Sequence, residues 1–166
     1  MILVAVGTQL PFDRLIETVD RWAGASGRTD VVAQMGPSSY VPTAIEAHGF
    51  LPPQEFAAHF QEAELIIAHC GMGSILSALS HGKPIIVMPR SAARGEHRND
   101  HQLATAQRFS DRPGVTVAWD EAELQRCLET IGKPGAAVAA VKPISPKAPR
   151  QLTDRLKAFL CASVTQ

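Results

Sequence analysis

Short apolar runs and amphipathic stretches alternate along most of this chain. "ILVAVG" (Ile2–Gly7) is an unbroken apolar run closed by glycine, the pattern of a strand buried on both faces of a parallel sheet. "TQLPFDRLIETVDRWAG" follows with Leu15, Ile16, Val19 and Trp22 at helical spacing, and predicts a helix with Pro11 in its first turn and Gly24 at its end. "DVVAQMG" (Asp30–Gly36) predicts a second strand, and "IEAHGFLP" a short third one ending near Phe50. "PQEFAAHFQEA" pairs Phe56 with Phe60 on a short helix. After it come a strand in "ELIIAHCG", a helix in "SILSALSHG", a strand in "PIIVMPR", a helix in "NDHQLATAQRFS" and a strand in "GVTVAW". "DEAELQRCLETIG" closes the series, with Asp120 as its N-cap and acidic residues in its first turn.

Near-strict alternation of strand and helix predicts an α/β domain over residues 1–131, Rossmann-like, with a mainly parallel sheet and helices on both faces. Residues 132–149, rich in Pro, Ala and Lys, break the rhythm and predict a linker or a wrap over the surface. Residues 150–166 predict a C-terminal helix with Leu152, Leu156, Phe159 and Leu160 on one face, packed on the domain or on a partner.

Bulk properties narrow the function classes. The 166 residues suit one domain, on a prior of about 100–200 residues each. Sixteen basic and sixteen acidic residues balance to zero, which argues against nonspecific nucleic-acid binding, since that needs a cationic surface. Three cysteines, Cys70, Cys127 and Cys161, form no CxxC pair and point to a reducing compartment rather than a disulfide framework. Apolar runs are too short to span a bilayer, and Met1 runs into "ILVAV" without the basic region or cleavage pattern of a leader.

Ligands of open parallel sheets bind beyond the carboxyl ends of the strands. Three segments fall there: Gly7, Thr8 and Gln9; His69 to Ser74; and Ser91 to Gln102. "HCGMGS" sets Gly71 and Gly73 around Met72 just before a helix, where bare N–H groups and positive potential favour an anion. Ser74 can cap that helix or bond an anionic oxygen, and His69 can donate to a phosphate. Spacing alone leaves two readings open, a phosphate cradle or an ordinary βα turn, because the motif is not GxGxxG. The third segment crowds Arg90, Arg94, Glu96, His97, Arg98, Asn99, Asp100, His101 and Gln102 together. Its amide and imidazole groups suit sugar hydroxyls and its arginines an anion, while Asn99 or Asp100 also suits an N-cap. No HxH, HExxH or DxD spacing occurs, so no metal is expected. Cys70 and His69 are adjacent on a strand and point to opposite faces, which disfavours a thiolate–imidazole pair.

"HCGMGSILSALSHGKPIIVMPR" followed by "NDHQLATA" resembles the C-terminal, donor-binding domain of family 28 glycosyltransferases, one half of the GT-B fold. "VAVGTQLPFDRLIETVD" is similar to the start of its small, split members. Those are bacterial exopolysaccharide glycosyltransferase subunits and the soluble subunit of the dolichol-linked GlcNAc transferase. The resemblance covers about residues 1–130. It implies a two-component inverting enzyme: this chain binds a UDP-sugar, and a membrane-anchored partner binds the lipid-linked acceptor. The chain would then be cytoplasmic, held at the inner face of the membrane through its partner. It implies diphosphate contacts from His69, Gly71, Met72, Gly73 and Ser74, sugar contacts from Asp100, His101 and Gln102, and a cleft loop at Gly7, Thr8 and Gln9. Arg90, Arg94 and Arg98 would serve the anion, and the nucleoside would lie near Phe50, Leu51 and Ser77. Many relatives carry a glutamate for the ribose where this chain has Ser77; a hydrogen bond to a charged group is worth about 1.5–3 kcal/mol, so a hydroxyl would hold the ribose more weakly. A different class also fits, a non-catalytic nucleotide-sugar-binding regulatory or structural subunit.

Overall fold

A computed structural model describes residues 1–131, 141–145 and 147–163. The elements run β1 (Ile2–Ala5), α1 (Asp13–Ser26), β2 (Val31–Gln34), β3 (Glu46–His48), α2 (Pro53–Glu62), β4 (Leu65–His69), α3 (Met72–Ser80), β5 (Ile85–Met88), α4 (His101–Phe109), β6 (Val115–Val117), α5 (Glu121–Ile131) and α6 (Arg150–Ser163). The six strands pair in parallel in the order β3-β2-β1-β4-β5-β6. Strand order therefore reverses between β1 and β4, and their carboxyl ends form the switch-point crevice of a doubly wound sheet. The α/β expectation holds.

Alternation along each strand divides the core into two layers. Ile2, Val4 and Val6 face a layer that includes Leu15, Ile16 and Val19 of α1 with Leu124 and Leu128 of α5. Leu3, Ile66 and Ala68 face the other layer, with Phe60 of α2, Ile75 and Leu79 of α3 and Ala106 of α4. Burying an aliphatic side chain of this kind contributes about 1.5–3 kcal/mol. The apolar strands are thus wrapped on both sides, as a parallel sheet requires.

Boundaries differ from the sequence expectation in two places that matter. The first helix starts at Asp13 rather than near Thr8. Phe12 is drawn fully into the core and the Pro11 carbonyl bonds Arg90, so residues 8–12 form a bent, non-helical segment beside the crevice. That helix also runs through Gly24 and ends at Gly27, whose φ of 68° takes the left-handed C-cap; Gly24 instead lies against Ala44, where an added Cβ would come within 3.3 Å. Asp120 caps α5 as expected, its Oδ1 accepting the Glu123 N–H at 2.8 Å while Glu123 accepts the Trp119 N–H at 3.0 Å.

The stretch expected as a linker lies largely outside the described residues. Within its described part, Val141 and Ile144 pack on the second core layer, and the Ile144 N–H donates to the Leu79 carbonyl at 3.1 Å. The C-terminal helix α6 leaves Leu152, Leu156, Phe159 and Leu160 exposed by 50% to 70%. No helix among the described residues is long and apolar enough to cross a membrane.

Candidate functional site

At the switch point a cavity of about 260 Å³ opens between the ends of β1, β4 and β5. Gly7, Thr8, Gln9, His69, Gly71, Arg90, His101 and Gln102 line it, all anticipated as site residues, together with Val6, Glu96 and His97. A larger, apolar cavity of about 540 Å³ lies at the amino ends of the strands, near Leu65, Pro84 and Gly114. Only Cys127 and Lys142 among its lining residues are ionisable, so chemistry favours the smaller cavity.

The His69 imidazole sits between two glycines. Gly7 has a φ of 81°, and a Cβ there would lie 3.1 Å from His69 Cε1. A Cβ on Gly71 would overlap His69 Nε2. Both glycines therefore make room for the ring itself. The His69 Nδ1 lies 3.4 Å from the Ala5 carbonyl oxygen, which favours a proton on Nδ1 and leaves Nε2 as the free lone pair. Burial lowers the imidazole pKa below its ordinary value; the Ala5 contact opposes this, and the charges of Arg90 and His97 reinforce it. The ring is accordingly neutral near pH 7.

Beyond Gly71 the chain enters α3 two residues earlier than expected. Gly71 is the N-cap residue and Ser74 lies inside the first turn, making no cap hydrogen bond. The capping role anticipated for Ser74 is thus replaced by the backbone of Gly71. The first N–H groups of the helix, on Met72, Gly73 and Ser74, have no intrahelical acceptor by geometry. An added Cβ on Gly73 would meet nothing within 4 Å, so no contact in the fold demands glycine there. Cys70 turns to the other side of the sheet, buried in the second core layer, where burial pushes its thiol up to about 11. That thiol is protonated at neutral pH, and it packs in the core rather than in the cavity with His69.

The loop after β5, which holds the three arginines expected to serve an anion, is closely bonded. Arg90 is 3% exposed. Its guanidinium donates to the carbonyls of Pro11 at 2.9 Å, Glu96 at 2.9 Å and Val6 at 2.5 Å, and lies 4.8 Å from the Phe12 ring centroid. Three carbonyls thus engage a side chain anticipated as an anion ligand. Arg94 pairs with Glu121 at 3.1 Å, and Arg98 is exposed. Asp100, anticipated on the sugar, accepts the Ala92 N–H at 2.8 Å and so pins the loop. Asn99 bonds His101 through both its backbone N–H and its ring. His97 and His101 meet edge to face, 4.4 Å between centroids.

Gln102 is 3% exposed, and its Oε1 accepts the Arg90 backbone N–H at 3.1 Å. The side-chain NH2 remains as the half of the amide available to the cavity. Phe50, Leu51 and Ser77 stand outside this cavity. Phe50 follows β3 and is 60% exposed, Leu51 is buried with its N–H on Gln34 Oε1 at 3.1 Å, and Ser77 is exposed on α3.

Glu96 and Arg14 were not anticipated as a unit. Arg14 grips both Glu96 oxygens, at 2.5 and 3.0 Å, and also reaches Glu121 and the Pro89 carbonyl. Glu96 additionally accepts the Ser91 N–H at 2.8 Å. Arg14 and Glu96 lie 82 positions apart in the chain, and no local pattern joins them. Among the described residues no group of three or more His, Cys, Asp or Glu is arranged to hold a metal ion.

Comparison with known proteins agrees with this fold. The profile of the glycosyltransferase family 28 C-terminal domain matches residues 1–143. The human protein named UDP-N-acetylglucosamine transferase subunit ALG13 is 29% identical over 118 residues, covering 65% of this chain and 10% of that protein. A Thermus thermophilus UDP-N-acetylglucosamine–N-acetylmuramyl-(pentapeptide) pyrophosphoryl-undecaprenol N-acetylglucosamine transferase is 33% identical over 100 residues, 59% of this chain and 28% of that enzyme. The chain thus spans under a third of either curated relative. In fold, the solution structure of ALG13 superposes with a TM-score of 0.58 at 19% identity, covering 93% of each chain.

Proposed function

Because the chain belongs to the glycosyltransferase family 28 C-terminal domains, we propose that it is the donor-binding subunit of a two-component, inverting glycosyltransferase. It holds a UDP-sugar at the β1/β4 crevice, and a separate membrane-anchored subunit presents a lipid-linked acceptor, in polysaccharide or exopolysaccharide synthesis. The observation that carries the reading is the cradle formed by His69 between Gly7 and Gly71, running into the helix start with open space at Gly73.

The diphosphate would lie across the N–H groups of Met72, Gly73 and Ser74. Charge develops on the leaving diphosphate as the glycosidic bond breaks, and fixed N–H dipoles aimed at it act like an oxyanion hole. The Gln102 NH2 and His101 would orient the sugar. The acceptor hydroxyl needs a general base, which this reading assigns to the partner, and no metal is called on. UDP-N-acetylglucosamine is the first donor to test, since two relatives carry it in their names.

The test is calorimetry with a panel of nucleotide sugars on the wild type, His69→Ala and Gln102→Ala, beside a transfer assay with and without the acceptor half. Wild-type binding weakened in both variants, with transfer only on mixing, is the expected result. Unchanged binding in both variants removes this site, and clear transfer by the single chain removes the two-component reading.

A further inference from the structure

Arg90 looked from the sequence like an anion ligand, yet its surroundings suit a different task. The guanidinium is buried. It joins three separate pieces of chain: the end of β1 through Val6, the non-helical entry to α1 through Pro11, and the loop after β5 through Glu96. Phe12 supplies a flat face beneath it, where the ring quadrupole attracts the cation. A guanidinium with five fixed donors can satisfy three divergent carbonyls, whereas an ammonium offers a single point.

Two of the pieces it joins are cavity walls, Val6–Gly7 and the 96–97 segment. The backbone N–H of the same residue then holds Gln102 by its Oε1. An amide fixed through its oxygen has its NH2 direction set as well. The side chain and the backbone of one residue therefore set both the width of the cavity and the aim of its buried amide.

We propose that Arg90 is a positioning residue for the sugar half of the donor: it touches no phosphate, and it acts by fixing the direction of the Gln102 NH2 across the cavity. The inference rests on the donor reading above. It predicts that Arg90 governs how well the chain tells a nucleotide sugar from the bare nucleotide, while leaving the grip on the nucleotide itself intact.

The experiment compares dissociation constants for UDP-N-acetylglucosamine and for UDP by calorimetry in the wild type, Arg90→Lys, Gln102→Ala and the double variant. In Arg90→Lys the ratio of the two constants should rise about three- to tenfold, the weight of one neutral hydrogen bond. Gln102→Ala should show the same rise, and the double variant no further rise. An unchanged ratio in Arg90→Lys, or fully additive effects, overturns the proposal even if the melting temperature falls. A second measurement uses the wild type alone: the Arg90 side-chain Nη signals in ¹⁵N spectra should stay in place on adding UDP, and the Gln102 NεH2 signals should move only with the sugar nucleotide. Displacement of the Arg90 signals by UDP would make it a direct phosphate ligand and overturn the proposal. A wild type that binds neither compound sinks the donor reading, and this inference with it; binding with an unmoved ratio sinks the inference alone.

Discussion

Gly73→Ala separates the needs of the fold from those of a ligand. Gly73 occupies the second position of α3, has no positive φ, and an added methyl would meet no atom within 4 Å. In a helix interior, glycine costs roughly 0.5–1 kcal/mol relative to alanine. At an N-terminal turn the lower end applies, about 0.5 kcal/mol, and at roughly 2–4 °C per kcal/mol for a domain of this size the melting temperature should rise by about 1–2 °C. A diphosphate resting on the Met72–Ser74 N–H groups would meet that methyl directly. Losing a single hydrogen bond to a charged oxygen costs about 1.5–3 kcal/mol, or roughly 10- to 150-fold in affinity. The variant should therefore be slightly more stable and bind UDP-N-acetylglucosamine at least about tenfold more weakly, by the same reasoning. Scanning calorimetry and titration calorimetry on one preparation measure both. Wild-type affinity in Gly73→Ala would refute the placement of the diphosphate on this turn, and a clear loss of stability would refute the claim that the fold leaves this position open.

Two further outcomes follow from the cleft. With Nδ1 on the Ala5 carbonyl and its pKa lowered by burial, His69 must gain a proton at Nε2 to donate to a phosphate. Affinity for UDP-N-acetylglucosamine should therefore rise as pH falls from 8 towards 6, with proton uptake seen as a buffer-dependent heat, and His69→Gln should flatten the profile. A flat profile in the wild type would contradict the Nδ1–H assignment. The stability linkage runs the other way: a lowered folded-state pKa means that His69 supports the fold fully above the unfolded value of about 6.5, and that this contribution is lost as pH falls through the lowered value. Glu96→Ala removes both Arg14 contacts and the Ser91 acceptor but leaves Arg14 with Glu121 and Pro89. With that partial compensation the loss should be about 2–4 kcal/mol, read by denaturant titration; a loss below about 1 kcal/mol would place the pair with ordinary surface bridges.

Local chemistry made much of this architecture readable. The apolar runs at Ile2–Val6 and Leu65–Ala68 became neighbouring central strands, because a strand buried on both faces tolerates little else. "HCGMGS" marked its own position, since glycine beside a strand-end histidine is a local signal, and here both the Gly7 and Gly71 positions are filled by one ring. Features that depend on distant partners were not readable. Arg14 stands in a helix as one more charged residue, and only the fold brings Glu96 to it. Arg90 carries the same charge whether it faces a phosphate or three carbonyls. Asp20 reads as a surface helix residue, yet it is buried and accepts the N–H groups of Thr43, Ala44 and Ile45 and the Tyr40 hydroxyl. Burial pushes its carboxyl pKa up, and those bonds together outweigh it and hold the carboxyl below the ordinary carboxylate range. The start of α1 was misplaced for the same reason: the bond from Arg90 to the Pro11 carbonyl crosses 79 residues.

Among the described residues, bonds through Arg14, Arg90, Ser91, Ala92 and Asp100 shape the loop after β5. Ordering a backbone residue costs about 1–2 kcal/mol of entropy, and for this loop that cost falls at folding rather than at encounter. Capture of a donor at the proposed site should then involve no waiting step for a lid. Its association rate should be one exponential phase, linear in concentration without a plateau, and differences between related donors should appear in how long each one stays.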